Sequence, residues 1–351
     1  MPDISETISL PHAVREIENI FIPLRDGTKL AARIWLPADA ETHPFFAGHG
    51  YASVRVDIRG TGESDGVLLD EYLKLEQDDC LEVLEWLVAQ PWCTGACGMI
   101  GISLGGFNGL QVAARRPKQL KAVISLCSTD DRYADDVHYM GGCLLVDNFA
   151  WGSTMFTLQS HAPDPVLVGE RWRQMWRERL ENLPLLVDNW LQHQRRDAYW
   201  KHGSVIENYG NITAVVYAVG GWADGYSNAV PRLLAGLNCP KKGLVGPWAH
   251  RYPHRVHRGP AIGFLTECLR WWGQWLKGKE TGIMAEPAYR VWMEDYAPPA
   301  SYRAEQPGRW VAEPSWPSKN IKVMPLAFSA GRLGPSHEDE AALPVRSPLG
   351  V

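Results

Sequence analysis

Gly101, Ser103 and Gly105 set a serine in a Gly-x-Ser-x-Gly pattern within GMIGISLGGFNG, residues 98–109. Where a strand turns sharply into a helix, this pattern exposes the serine hydroxyl above a mostly parallel sheet and makes it a candidate nucleophile for acyl transfer. A serine needs a base within hydrogen-bond reach, and the base needs an orienting carboxylate. On such a scaffold the chain order is serine, acid, histidine. Downstream of Ser103, AVGGWADGYS places Asp224 just past one apolar strand and LVGPWAH places His250 just past the next. Each residue also has a plain reading: Ser103 as a turn serine, Asp224 as the turn residue of Ala-Asp-Gly. The ordered occurrence of all three favours the chemistry. A histidine base predicts hydrolysis that falls off as pH drops through about 6.5.

The elements that must position these residues are legible. ENIFIPL, then Arg25-Asp26-Gly27, then TKLAARIWLP reads as a hairpin. GYASVRVDIRG supplies a strand, and Leu73, Cys80, Val83, Leu84 and Leu87 recur at helical spacing up to Pro91. CGMIGIS, GGFNGLQVAARR and LKAVISLCS continue as strand, helix, strand. This alternation predicts a parallel sheet covered by helices. Residues 130–203 are Trp-rich and mainly helical, the composition of a cap over a sheet end. TAVVYAVGGW and KKGLVGPW then resume the strands, and AIGFLTECLRWWGQWLKG a helix. Both candidate partners of Ser103 would thus lie at the carboxyl edge, where open α/β sheets hold their sites. After Pro287 the composition shifts, with ten of the 25 prolines in the last 65 residues. The predicted organisation is a core of 1–129 and 204–286, a cap of 130–203 and a β-rich extension of 287–351, loosely ordered at its end.

Bulk properties bound the rest. The 351 residues are 45% hydrophobic, enough for a large core, and the formal net charge is −5 without a basic run to follow a phosphate backbone. Nucleic acid is not expected as a partner, whereas a small molecule or short peptide is. The opening MPDISETISLPHAVREIENIF lacks a signal-peptide pattern and no apolar run is long enough to span a membrane. Seven cysteines, an odd number mostly in apolar surroundings, suit buried thiols in a reducing cytoplasm.

Other motifs compete less well. Cys93 and Cys97 lack a second pair for zinc, and His250, His254 and His257 are broken by Pro253 with no carboxylate close in sequence, so no metal is expected. DIRGTGESDG lacks the Lys-Ser/Thr of a P-loop and carries Asp65 where a dinucleotide fingerprint needs glycine. It reads as a loop at the sheet edge, and no cofactor is implied. The acidic set Asp130, Asp131, Asp135, Asp136 and Asp147 could recognise a substrate amine, though a solvated face or local caps is the simpler reading.

MIGISLGGFNGLQVAARRP, STDDRYADDVHYMGG, GGWADGYSNAVPRL and GPWAHRYPH closely resemble the cocaine esterase and X-prolyl dipeptidyl-peptidase family of serine hydrolases, in the family's order, over about residues 17–295. The resemblance implies an α/β-hydrolase core with a helical cap. It implies Ser103 as nucleophile, Asp224 as acid, His250 as base and the Leu104 backbone N–H as an oxyanion donor. Trp151 and Tyr226 would line an acyl pocket instead of merely packing. Family members carry a jelly-roll domain of which residues 287–351 resemble only the beginning. The chain also departs from the family: after Pro37, ADAETHPFFAGHG replaces a third strand and a Pro-Tyr loop whose tyrosine is the second oxyanion donor. The expectation is a gap or strained junction between the strand ending at Leu36 and that of Ser53–Ile58, with weak turnover. The chain then reads as a hydrolase of X-Pro peptides or acyl or amino-acid esters, or alternatively as an impaired homologue that only binds ligands or has no present function.

Overall fold

The computed structural model of the protein describes residues 11–37, 44–256, 258–337 and 342. The expected hairpin is present as β1 (Val14–Pro23) and β2 (Lys29–Pro37), reversing at Gly27 with φ +89°, a conformation glycine adopts without strain. A short helix α1 (Pro44–Gly48) leads to β3 (Ser53–Val56), which pairs antiparallel with β2, Ala32 facing Val56 and Trp35 facing Ser53. Ile22, Leu30 and Ala32 bury themselves with Val83 of α2 (Lys74–Val88). The alternating apolar side chains of the hairpin thus find their cover on that helix's apolar stripe.

A second sheet begins at β4 (Cys97–Ile102), followed by α3 (Leu104–Ala114) and β5 (Leu120–Leu126). Between β5 and the next core strand come a two-residue ribbon, β6 (Tyr139–Met140) with β7 (Cys143–Leu144), and five helices: α4 (Asp147–Gln159), α5 (Pro165–Val168), α6 (Trp172–Asn182), α7 (Leu186–Gln192) and α8 (Ala198–Lys201). Their tryptophans are largely packing: Trp190 and Trp200 are fully buried with Leu68, Tyr139, Met155 and Leu186 in a core of their own. The core resumes with β8 (Val215–Gly221), α9 (Ala229–Gly236), β9 (Lys241–Gly246), α10 (Phe264–Leu276), β10 (Tyr289–Glu294) and β11 (Gly308–Glu313).

The six strands run in the order β11-β10-β9-β8-β5-β4, parallel from β4 through β10. Residue alternation divides their side chains between two faces. Val123, Val216 and Ala218 meet α3 and α9 on one side, while Ile124, Tyr217 and Val219 meet Trp271 and Trp272 of α10 on the other. Near-continuous apolar strands are what a sheet covered on both faces requires.

Two features differ from the sequence reading. The expected gap between β2 and β3 is absent, because those strands are antiparallel and the connection need only reverse direction instead of crossing over. The break falls one strand later: β3 and β4 belong to separate sheets, so β4 is an edge strand and Ile100 on it is 37% exposed. Residues 38–43, where the shortening was located, lie outside the described residues. Residue 287 also marks no boundary in the sheet, since Tyr289 pairs with Gly243 and β11 extends the same sheet. One compact unit runs to Trp316, and residues 317–351 form another, whose described part contains the hairpin β12 (Ala327–Ser329) and β13 (Arg332–Gly334).

Candidate active site

Ser103 stands between β4 and α3 with φ 55° and ψ −127°. A positive φ in a residue with a Cβ is strained and persists only where surrounding structure enforces it. The enforcement is visible: Ser103 N–H donates to Leu126 O of β5 at 3.0 Å, and Ser103 O accepts from Gly106 and Phe107 at 2.7 and 3.0 Å. Close approach enforces it further, since a Cβ on Gly101 would fall 2.2 Å from the Gly105 backbone and one on Gly106 would fall 2.8 Å from Leu126 O. Gly105 itself faces open space. Of the two patterned glycines, the first is therefore required by packing and the second leaves room beside the serine. Gly101→Ala is expected to destabilise the protein by about 1–3 kcal/mol, because the obstruction is backbone that cannot rotate away. Denaturant midpoints would show this, and a midpoint equal to wild type would refute it.

The N–H groups of Leu104 and Gly105 have no acceptor among the described residues. They are the free donors of a helix's first turn, half-buried and beside the serine. Such amides can stabilise a developing oxyanion.

Asp224 and His250 are brought together by the loops that leave β8 and β9. Trp222 N–H donates to Gly246 O at 2.9 Å and Ala223 N–H to Trp248 O at 3.0 Å, so the two loops are laced to each other. Gly221 permits this, since a Cβ there would lie 2.0 Å from Trp248 O. His250 Nδ1 donates to Asp224 Oδ1 at 2.9 Å, with the carboxylate side chain only 3% exposed and the imidazole 43% exposed. Asp224 thus orients the ring through Nδ1 and leaves Nε2 available. Ser103 Oγ makes no hydrogen bond among the described residues, so the serine and histidine are not joined; such bonds are often long before substrate arrives.

Tyr226 is buried beside this pair, its ring 5.8 Å from that of His250 and 5.6 Å from Phe107 of the serine's helix, and its hydroxyl donates to Asp136 at 2.8 Å. Trp151 sits in α4, where its indole N–H donates to Glu71 at 2.8 Å. A cavity of about 590 Å³ opens beside the histidine loop, lined by Ala249, Arg251 and Val256 and by Tyr296, Tyr302 and Arg303.

Asp130, Asp131, Asp135 and Asp136 form a framework of internal partners instead of a solvated face, whereas Asp147 is exposed. Asp130 and Asp135 both pair with Arg232, Asp131 pairs with Arg196 and caps Tyr133 N–H, and Asp147 opens α4. His254 packs against Tyr252 and Phe264, away from His250's partner, and His257 lies outside the described residues. The glycine-rich loop at 57–66 is held by its own bonds, with Ser64 Oγ linking Ala31 N–H to Asp57 O.

One neighbour was not anticipated. Cys127 follows β5 with φ 45°, and its sulfur lies with a ligand atom of Asp224 and one of His250 in a group whose members are all within 4.8 Å of one another. Only its place one residue past an apolar strand hinted at the sheet's carboxyl edge.

Comparison with known proteins agrees with this architecture. Residues 38–252 match the family described as X-Pro dipeptidyl-peptidase (S15 family). The chain is 26% identical over 281 residues to the cocaine esterase of Rhodococcus sp. (strain MB1 Bresler), covering 66% of this chain and 48% of that protein. It spans about half the length of the curated relatives it matches, 48% and 51% for two of them. Among solved structures, a CocE/NonD family hydrolase from Staphylococcus aureus superposes with a TM-score of 0.73 at 19% identity, over 92% of this chain and 60% of that one. An α-amino acid ester hydrolase superposes with a TM-score of 0.64 at 18% identity, over 95% and 66%. These likenesses establish the α/β-hydrolase fold. No helix among the described residues is long and apolar enough to cross a membrane.

Proposed function

Because the chain belongs to the X-Pro dipeptidyl-peptidase (S15) family, we propose that it is a serine hydrolase that cleaves an ester or amide through an acyl-enzyme on Ser103. The observation that carries this reading is the His250–Asp224 pair, held at 2.9 Å at the same sheet edge as a strained serine followed by two unpaired amides. Ser103 Oγ attacks the carbonyl carbon while His250 Nε2 takes its proton, and Asp224 stabilises the imidazolium through Nδ1. Leu104 N–H donates to the oxyanion. The imidazolium then protonates the leaving alcohol or amine, and water repeats the sequence to release the acid. Tyr226, against His250, and Trp151 of α4 border the acyl side. An X-Pro dipeptide, an amino-acid ester or a small acyl ester all present the required carbonyl.

A second reading has its own support. The nucleophile strand β4 is an unpaired edge, and a second oxyanion donor from a side chain is the part that the resemblance marks as missing. Losing one such donor typically costs 10²–10³ in turnover, about 2.7–4 kcal/mol, which leaves a weak enzyme or a ligand-binding remnant. A fluorophosphonate probe, followed by turnover on a panel of small esters and X-Pro amides, separates the two. Labelling of one serine with measurable ester turnover is expected. Absence of labelling would overturn the enzyme reading in favour of the remnant.

A further inference from the structure

Three different ligand types converge where the catalytic reading uses only two. Cys127, Asp224 and His250 offer a sulfur, a carboxylate oxygen and an imidazole nitrogen, all within 4.8 Å of one another, and His250 Nδ1 lies 2.9 Å from Asp224 Oδ1. In a tetrahedral zinc site with bonds of about 2.0–2.3 Å, ligand atoms stand about 3.3–3.7 Å apart. The group is therefore within about 1.5 Å of that geometry. Two further observations point to a cation. Asp224 Oδ2 is buried and takes no nitrogen or oxygen donor among the described residues, the carboxylate's neighbour besides His250 being the Cys127 thiol, a poorly compensated state that a cation would relieve. Cys127 forms no disulfide, and its backbone is held against β8 by the N–H bond to Val219 O at 2.9 Å, which leaves a free thiol beside the pair.

We infer that Cys127, Asp224 and His250 form an inhibitory site for a thiophilic divalent cation, zinc by preference, which removes the acid and the base from the reaction while it is bound. The inference builds on the assignment of those two residues in the proposed hydrolase. Three protein ligands would leave a fourth position for water. Proton balance is simple. A thiolate is the form of Cys127 that binds a metal, so coordination releases the thiol proton. A His250 that coordinates through Nδ1 carries its ring proton on Nε2. That nitrogen then no longer donates to Asp224, and Nε2, now protonated, cannot accept from Ser103. Inhibition follows from the tautomer alone.

The test uses the full chain and cobalt(II) as a spectroscopic substitute for zinc. One equivalent of cobalt should produce a thiolate-to-cobalt charge-transfer absorption, displaced by zinc. Cys127→Ser should abolish that band, while Cys93→Ser with Cys97→Ser should leave it unchanged. His250→Ala, at an exposed side chain, should weaken cobalt binding by at least about tenfold, which keeps the test available should the Cys127 variant fold poorly. Zinc should suppress ester turnover in the wild type, a chelator should restore it, and Cys127→Ser should turn over normally in zinc. Absence of the band, or a band that persists at equal strength in Cys127→Ser and His250→Ala, would overturn the inference. Binding does not depend on turnover: a cobalt band in a protein that hydrolyses nothing would refute the proposed function and leave the site standing.

Discussion

Replacing Ser103 with alanine is expected to lower ester turnover by at least about 10⁴-fold and to abolish fluorophosphonate labelling, leaving the unfolding midpoint close to that of the wild type. The size follows from how a nucleophile and its base work as a unit: removing either leaves only what binding and the oxyanion donors supply. Alanine inherits the positive φ of 55° at this turn and removes only one oxygen, which makes no hydrogen bond among the described residues, so stability has little reason to change. His250→Ala should be nearly as damaging, and the double variant no worse than either single one, since effects within such a unit do not add. Gly105 supplies a contrasting control. A Cβ there would meet nothing within 4 Å, so Gly105→Ala should fold, and any loss of turnover in it would report crowding of the substrate. Undiminished hydrolysis by Ser103→Ala would show that some other residue does the work.

The pairing of Asp224 with His250 was legible because it follows from strand ends, whereas a Ser103–His250 bond was expected and is not formed. Asp224 and His250 each sit just past an apolar strand, and parallel neighbours deliver such ends to one edge, so order and position sufficed. What escaped was set by contacts distant in sequence. Asp130 and Asp135 looked solvated because their shared partner, Arg232, lies 102 and 97 positions away. Cys127 looked like an ordinary buried thiol because its place beside Asp224 depends on how the loops after β5 and β8 close over each other. Proline content after residue 287 marks connections, not the pairing of strands between them, and β10 and β11 continue the sheet beyond β9. The position of the break was misjudged for a topological reason. Loss of the strand that the resemblance implies would separate that strand's two spatial neighbours, and β3 and β4 are the strands found in separate sheets, while sequence neighbours such as β2 and β3 keep their antiparallel bonds.

The last expected result concerns the polar pin between the core and α4, which no motif announced. Glu71 and His138 are both fully inaccessible, with His138 Nε2 donating to Glu71 Oε1 at 2.8 Å and Trp151 Nε1 donating to Glu71 Oε2 at 2.8 Å. On the other side His138 Nδ1 meets Asn148 Oδ1 at 2.8 Å, and the Asn148 amide nitrogen is committed to the carbonyls of His138 and Leu145. Both ring nitrogens therefore donate, and the ring is an imidazolium. Burial opposes both charges, but their hydrogen bond and mutual attraction outweigh it, holding Glu71 below its ordinary 4.5 and His138 above its ordinary 6.5. The pair's contribution is accordingly full between those two values. It is lost as pH falls through the depressed Glu71 value, and lost as pH rises through the raised His138 value. Asp136, which burial pushes up to about 6, works in the same direction as His138 but lower on the pH scale, its ionisation costing stability as pH rises from 3.8 through that value. Glu71→Gln keeps the shape and strands a buried cation, a change that typically costs about 3–5 kcal/mol. Urea unfolding at pH 6 should show a midpoint shift of that size with little change in slope. Above pH 6.5 the wild type should lose stability as His138 gives up its proton, whereas the variant, with nothing to hold that proton, should show a flatter profile. A variant within about 0.5 kcal/mol of wild type, the range of ordinary surface substitutions, or one with an identical pH profile, would mean that the core and α4 are held together by the Trp190 and Trp200 packing alone.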